Sequence, residues 1–119
     1  PTNFVDKILK GEKVTTIRED KHNRWKVGRK IHFATGVRTG NQKQFAQGEC
    51  TEIETIEIEY GKEWVINEWI DTVRVFINDY CLNYEEIKEL VKNDGFESVK
   101  DFFDWFNKGF KGKIIHFKV

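Results

Sequence analysis

The sequence predicts an α+β domain, a small mixed β-sheet or incomplete barrel with helices packed outside it. Three observations predict this. The 119 residues are enough for one domain, taken here as 1–119. Apolar residues alternate with period two along most of the chain, which marks half-buried strands. Only three segments carry helical spacing, one at the start and two just before a final apolar strand. Ten Phe, four Trp and three Tyr supply bulky core material, although the apolar fraction is only 39%.

The elements follow in order. Residues 3–10 read as a short helix, with Asn3 as cap, Phe4 and Ile8 on one face, and Gly11 as left-handed stop. The β-branched run 14–18 reads as a strand. Residues 19–29 are polar and basic and read as a loop. Residues 30–37 alternate at Ile31 and Phe33 as a strand. The stretch 38–44 reads as an exposed loop. From Phe45 to Tyr60 the pattern is β-rich, and Ile53, Ile56 and Ile58 break strict alternation, which predicts a bulge near Glu54–Thr55. Tyr60-Gly61-Lys62 reads as a turn and Glu63–Ile70 as the return strand. Val73, Val75 and Ile77 make another strand, closed by Asn78-Asp79.

Asn83 and Glu86 have the capping-box spacing and open a helix that buries Ile87, Leu90 and Val91 and ends near Asn93-Asp94-Gly95. Ser98 caps a second helix carrying Phe102, Phe103, Trp105 and Phe106, stopped by Gly109. These aromatics read as core. The last strand, 113–119, is apolar on both faces at Ile114–Phe117 and belongs in the middle of the sheet.

Twenty basic and twenty acidic side chains cancel. That balance excludes a chain that coats nucleic acid by charge alone. The charge is unevenly placed, however. Residues 1–48 hold eleven Lys/Arg against four Asp/Glu, a net of +7, and residues 49–119 carry the compensating −7. Such asymmetry points to an anionic partner. Two oppositely charged halves facing each other in one fold account for it equally well. Cys50 and Cys81 make neither a disulfide framework nor a CxxC pair. His22, His32 and His116 lie far apart and lack metal-ligand spacing, and the last two read as outward-facing strand residues. No metal and no organic cofactor is expected. Without a long apolar run or a signal-peptide pattern, a cytoplasmic protein with no membrane association is expected. The chain starts at Pro1 and has no Met, so an initiator or tag is expected to have been removed.

Gly11-Glu12-Lys13-Val14-Thr15-Thr16-Ile17-Arg18 fits the spacing G-x-K-x-x-T-x-R where a helix stop passes into a strand. Trp25-Lys26-Val27-Gly28 and a strand follow, His32–Thr39 among them. Much later comes D-G-F-x-S-x-x-x-F-F, from Asp94 to Phe103, before the final strand. This combination resembles the ASCH domain, a member of the PUA-like group, over nearly the whole chain. The resemblance implies a pseudo-barrel with a cleft beside the Lys/Thr/Arg strand, where ASCH domains are proposed to bind RNA or nucleotides. It also implies that some small bacterial relatives remove the acetyl group from N4-acetylcytidine, using a Lys, a Thr and a Glu. Carried over, these fall on Lys13, Thr16 and Asp94. Asp94 stands where those relatives have Glu, one methylene shorter, and Arg29 stands where many have an acid.

Amide hydrolysis needs a nucleophile, a base and a group that holds the base. Thr16 offers the hydroxyl. Lys13 serves as base only if burial or a neighbouring cation such as Arg18 lowers its pKa. Asp94 is able to act as base or to orient Lys13. A misplacement of about 1 Å costs on the order of 100-fold in rate, so the Asp replacement puts binding ahead of catalysis. The plainer alternatives are a solvated Lys13, a β-forming Thr16 and a turn Asp94. For a bound RNA, nucleotide or modified nucleoside, the candidate contacts are Gly11, Lys13, Arg18, Arg24, Trp25 and Arg38. Lys21, Lys26, Arg29, Lys30 and Lys43 add to the basic surface. Trp25 either stacks on a base or packs into the core. The oligomeric state is left open.

Overall fold

In the computed structural model of the chain, residues 4–35 and 43–119 are described. Helix α1 (Phe4–Leu9) leads into β1 (Thr15–Arg18), β2 (Lys30–Thr35), β3 (Lys43–Val65), β4 (Glu68–Ile77) and β5 (Tyr80–Cys81). Helices α2 (Tyr84–Asn93) and α3 (Val99–Trp105) follow, and β6 (Phe110–Lys118) comes last. The strands join in the order β1-β6-β3-β4-β5, with β2 also on β3. Every pairing is antiparallel, so the expected mixed sheet is corrected. Connectivity gives the reason for two of these pairs. Two-residue turns join β3 to β4 and β4 to β5, and such turns link only antiparallel neighbours. The path does not return from β5 to β1, so among the described residues the sheet is open and no barrel closes.

Strand β3 is the spine. Glu49 pairs with Lys30 on one edge and Lys118 on the other, and Ile56 pairs with Ile77 and Gly112 in the same way. Strands β2 and β4 therefore lie one after the other along one edge, and β6 lies along the opposite one. As expected, β6 is central. It separates two cores. Ile114 joins Ile17, Ile56, Ile58 and Val75 under Leu90 and Val91 of α2 and Phe102 and Phe106 of α3. Ile115 and Phe117 join Ile8, Ile31, Phe33 and Cys50 on the other face. Each such side chain contributes roughly 1.5–3 kcal/mol on full burial.

Two covered faces explain why the isoleucine pattern of β3 misleads. Ile53 packs toward the second core while Ile56 and Ile58 fill the first, so no bulge is needed between them. The bulge lies earlier, between Cys50 and Glu52. The expected turn at Tyr60–Lys62 is also corrected. Strand β3 runs through it, and the chain reverses at Ile66 and Asn67, with φ of 44° and 65°. Positive φ at both central residues is what a type I′ hairpin demands. Glu63–Ile70 is thus split around a turn. Asn78 and Asp79 form the second such reversal, as expected, with φ of 48° and 67°.

The Asn83 capping box forms in full, with Asn83 accepting from the Glu86 N–H and Glu86 accepting from the Asn83 N–H. Ser98 caps α3, but that helix ends at Phe106, before Gly109. Phe102 and Phe106 are core, whereas Trp105 is 59% exposed and is not. Lys43 and Gln44 belong to β3 rather than to a loop, and 36–42, with Arg38 and the end of the expected strand 30–37, lie outside the described residues, as does the expected cap Asn3. No helix among the described residues is long and apolar enough to cross a membrane.

Candidate functional site

Gly11 is where the site starts. Its φ of +75° suits a residue without a side chain and turns the chain out of α1. The N–H groups of Glu12 and Lys13 then both bond the Lys7 carbonyl, at 2.8 and 3.0 Å. The Val14 N–H bonds the Asn93 carbonyl at 2.8 Å and fixes this corner on the end of α2. Lys13 consequently points inward. It is buried to 5% exposure, beside Asp94 at 3%.

Asp94 caps α2, donating its N–H to the Leu90 carbonyl at 3.0 Å. Gly95 follows with φ +90°, and a Cβ there would lie 3.0 Å from Lys13 Cδ. The glycine is what lets the lysine stem pass. Lys13 Nζ donates to the carbonyls of Thr15 and Asp94 at 2.7 and 2.6 Å, and stands 3.5 Å from Asp94 Oδ1. It also sits 4.4 Å from the centre of the Phe4 ring. Thr15 Oγ1 donates to Asp94 Oδ1 at 3.0 Å. Burial lowers the Lys13 pKa, opposed by Asp94 and helped by Arg18 and Lys7. Burial likewise pushes Asp94 up to about 6, against the pull of Lys13, Thr15 and Arg18.

A cleft of about 370 Å³ opens over this pair. It draws residues from both cores and lies past the edge of β1 that is unpaired among the described residues. Thr16 and Arg18 line it with His32, and Phe33, Phe45 and Trp105 are among its aromatic walls. Arg18 is exposed and pairs with no carboxylate among the described residues.

Lys13, Thr16 and Asp94 thus share one cleft, but the hydroxyl bonded to Asp94 is that of Thr15. Period two explains the difference. Thr15 stands across from His116 and Thr16 across from Ile115, so the two threonines face opposite sides of the sheet. Lys13 is not solvated, and Asp94 is not merely a turn residue.

Gly11 does not line this cleft but a larger one, of about 970 Å³, against α2 and α3. Arg24 and Trp25 also lie away from it, in the β1–β2 loop. Asp20 organises that loop. Its carboxylate accepts the N–H groups of Arg24 and Trp25 at 2.9 and 3.1 Å and the Lys113 ammonium at 3.0 Å. Desolvation raises the Asp20 pKa, but these donors outweigh it and hold the carboxyl below its usual range. Trp25 is half-buried against the second core, with the Arg29 guanidinium 4.7 Å over its ring. Nothing in the sequence motif signals Asp20, because its partners are backbone groups and a lysine far along the chain.

His32 is exposed and bonds Gln44, and His116 bonds Glu54 at 2.5 Å on the sheet. No family model, no curated protein and no solved structure matches this chain.

Proposed function

We propose that the protein is an ASCH-type module that binds RNA, or a nucleotide or modified nucleoside, in the cleft along β1. The observation that carries this is the cleft's make-up. Its 370 Å³ suits a nucleoside-sized group, and aromatic walls flank a cationic Arg18. The free edge of β1 adds backbone donors and acceptors that match the edges of a base. Aromatic faces stack on bases of any sequence, at about 1–3 kcal/mol per base. In this reading the open antiparallel sheet corresponds to the PUA-like pseudo-barrel. Two free thiols, Cys50 and Cys81, suit a cytoplasmic setting.

Titration of labelled single-stranded RNA, and of single nucleosides, at low and moderate salt tests the proposal. Binding that weakens with salt and falls roughly tenfold in Arg18→Ala is expected, since a charge-assisted contact contributes about 1.5–3 kcal/mol. No binding at low salt, or an Arg18→Ala variant that binds as well as the parent, counts against it.

Amide hydrolysis is the second reading, favoured by one observation. A buried carboxyl with a pKa near 6 faces a lysine of lowered pKa at the base of the same cleft. Incubation with N4-acetylcytidine, followed by chromatography for cytidine and acetate, tests it. Cytidine release that disappears in Asp94→Asn and Thr16→Ala supports catalysis. Unchanged release in both variants removes these residues from the reaction.

A further inference from the structure

The register of the two central strands gathers three metal-binding side chains. His116 of β6 stands across from Glu52 of β3, and Ile114 stands across from Glu54. Residues directly opposite share a face of the sheet, and so do residues two apart along a strand. Glu52, Glu54 and His116 therefore lie on the face of Ile114, which carries the first core and α2. One ligand atom from each of the three falls within 4.8 Å of the other two. The His116 Nε2 and a Glu54 oxygen already stand 2.5 Å apart. Spacing along the chain hides this group, because His116 and Glu54 are 62 positions apart.

The surroundings carry excess negative charge. A cavity of about 230 Å³ opens beside Glu54 and His116, and Glu86 and Glu89 of α2 line it too. No Lys or Arg lines it. None of Glu52, Glu54, Glu86 and Glu89 pairs with a Lys or Arg among the described residues. A protonated His116 offsets one of these four charges. Glu86 already accepts from the Asn83 N–H and the Tyr80 hydroxyl, which leaves Glu89 as the α2 carboxylate able to turn toward an ion. The side chains of His116 and Glu54 are 30% and 23% exposed, and Glu52 is exposed. The group is thus sheltered at one end and open for entry at the other.

The donor set decides which ion fits. Mg²⁺ and Ca²⁺ take oxygen ligands, whereas an imidazole nitrogen beside carboxylates suits a first-row divalent ion such as Zn²⁺. Bonds of about 2.1 Å place tetrahedral ligands roughly 3.4 Å apart. The spread of 2.5 to 4.8 Å between the ligand atoms straddles that separation, so small side-chain rotations close the set. Three protein ligands leave a position open, as sites that hold a water do.

We propose that Glu52, Glu54 and His116 bind a divalent transition-metal ion of the Zn²⁺ class, with a further position facing the α2 cavity for water or the Glu89 carboxylate. The ion fastens β3 to β6 on the face of the first core. None of the three residues lines the β1 cleft, so the proposal is independent of any ligand there.

Titration calorimetry of the full chain with Zn²⁺ tests it, and the absorption spectrum with Co²⁺ gives a second readout. One ion per chain is expected, with a melting temperature raised by about 5 °C or more at roughly 100 times Kd. His116→Gln and Glu54→Gln should each weaken binding by roughly tenfold or more. Glu52→Gln should do the same at an exposed position where folding is not at stake. Melting of the metal-free variants identifies any that fail to fold. Bound Co²⁺ should show no thiolate charge-transfer band, because neither Cys50 nor Cys81 belongs to the group. A wild-type chain that takes up no Zn²⁺ at about 100 μM overturns the proposal. So does affinity unchanged in His116→Gln or in Glu52→Gln, or a thiolate band that puts the ion on a cysteine.

Discussion

Gly95 and Asp94 show how adjacent residues serve one site by different physics. Gly95 holds φ +90° where a Cβ would crowd the Lys13 stem at 3.0 Å. Gly95→Ala meets both the left-handed penalty and that clash, and should cost roughly 1–3 kcal/mol. Urea unfolding of the variant checks this, and a midpoint equal to wild type would mean that Lys13 yields freely. Asp94 acts through its protonation. Its folded pKa is raised from 3.8 to about 6, so the folded state binds the extra proton. Its contribution to stability is full below about pH 4 and is lost as pH rises through about 6, on the order of 3 kcal/mol. Lys13 has the opposite sign, because its folded pKa is lowered and its neutral form is favoured. Its contribution returns only as pH climbs toward 10.5. Stability of wild type minus that of Asp94→Asn, measured from pH 4 to 7, should therefore decline. A flat difference would mean that the Asp94 carboxyl titrates alike in folded and unfolded chains.

Elements were legible in the sequence where local chemistry is complete within a few residues. The Asn83–Glu86 box, the Gly11 stop and the Asn78-Asp79 reversal all stand where their residue types place them. The candidate site was half legible for the same reason. The spacing of Lys13 and Asp94 is carried by a motif, whereas the choice between Thr15 and Thr16 rests on strand parity, and Asp20 rests on contacts far along the chain. The long hairpin was not legible, because its turn breaks a local rule. Gly61 looks like a turn residue, yet it lies flat in β3 opposite Thr72. The reversal falls instead on Ile66, a β-branched residue at φ 44°. A β-branched side chain is strained there, and the position ordinarily belongs to Asn or Gly. Ile66→Asn should relieve that strain and steady the β3–β4 hairpin by about 1 kcal/mol. Slower amide exchange at Trp64 and Trp69 would report it. Exchange left unchanged or accelerated would show that Ile66 is held by contacts rather than tolerated.

At the scale of the whole molecule, the body is distinct from the two-stranded ribbon of residues 59–74, the arm, which pairs only within itself among the described residues. Both cores lie in the body, and no residue between 59 and 74 belongs to either. The root of the arm is fixed by the Tyr60 hydroxyl, which donates to the Phe106 carbonyl, and by Ile58 and Val75 in the first core. The split of charge follows the same division. The basic half supplies β1, most of the cleft lining and the loop, and the acidic half supplies the arm, α2 and α3, with Asp94 and Trp105 of the cleft. Neutrality overall therefore reflects two halves of the sequence of opposite sign, joined by pairs such as Lys7–Glu97 and Lys113–Asp20. If folding does not need the arm, its loss should leave the body intact. Replacing residues 62–71 by an Asn-Gly turn keeps the Gly61–Thr72 pair as the new closing rung, in the two-residue geometry that type I′ favours. The shortened chain should melt within about 5 °C of the parent monomer, because the deleted residues bury little apolar area and the new turn lowers the closure entropy. It should retain any ligand of the β1 cleft. Thermal melting and ligand titration of the same sample separate these outcomes. A melt lowered by 15 °C or more, far outside that range, would show that the arm supports the cores it does not touch.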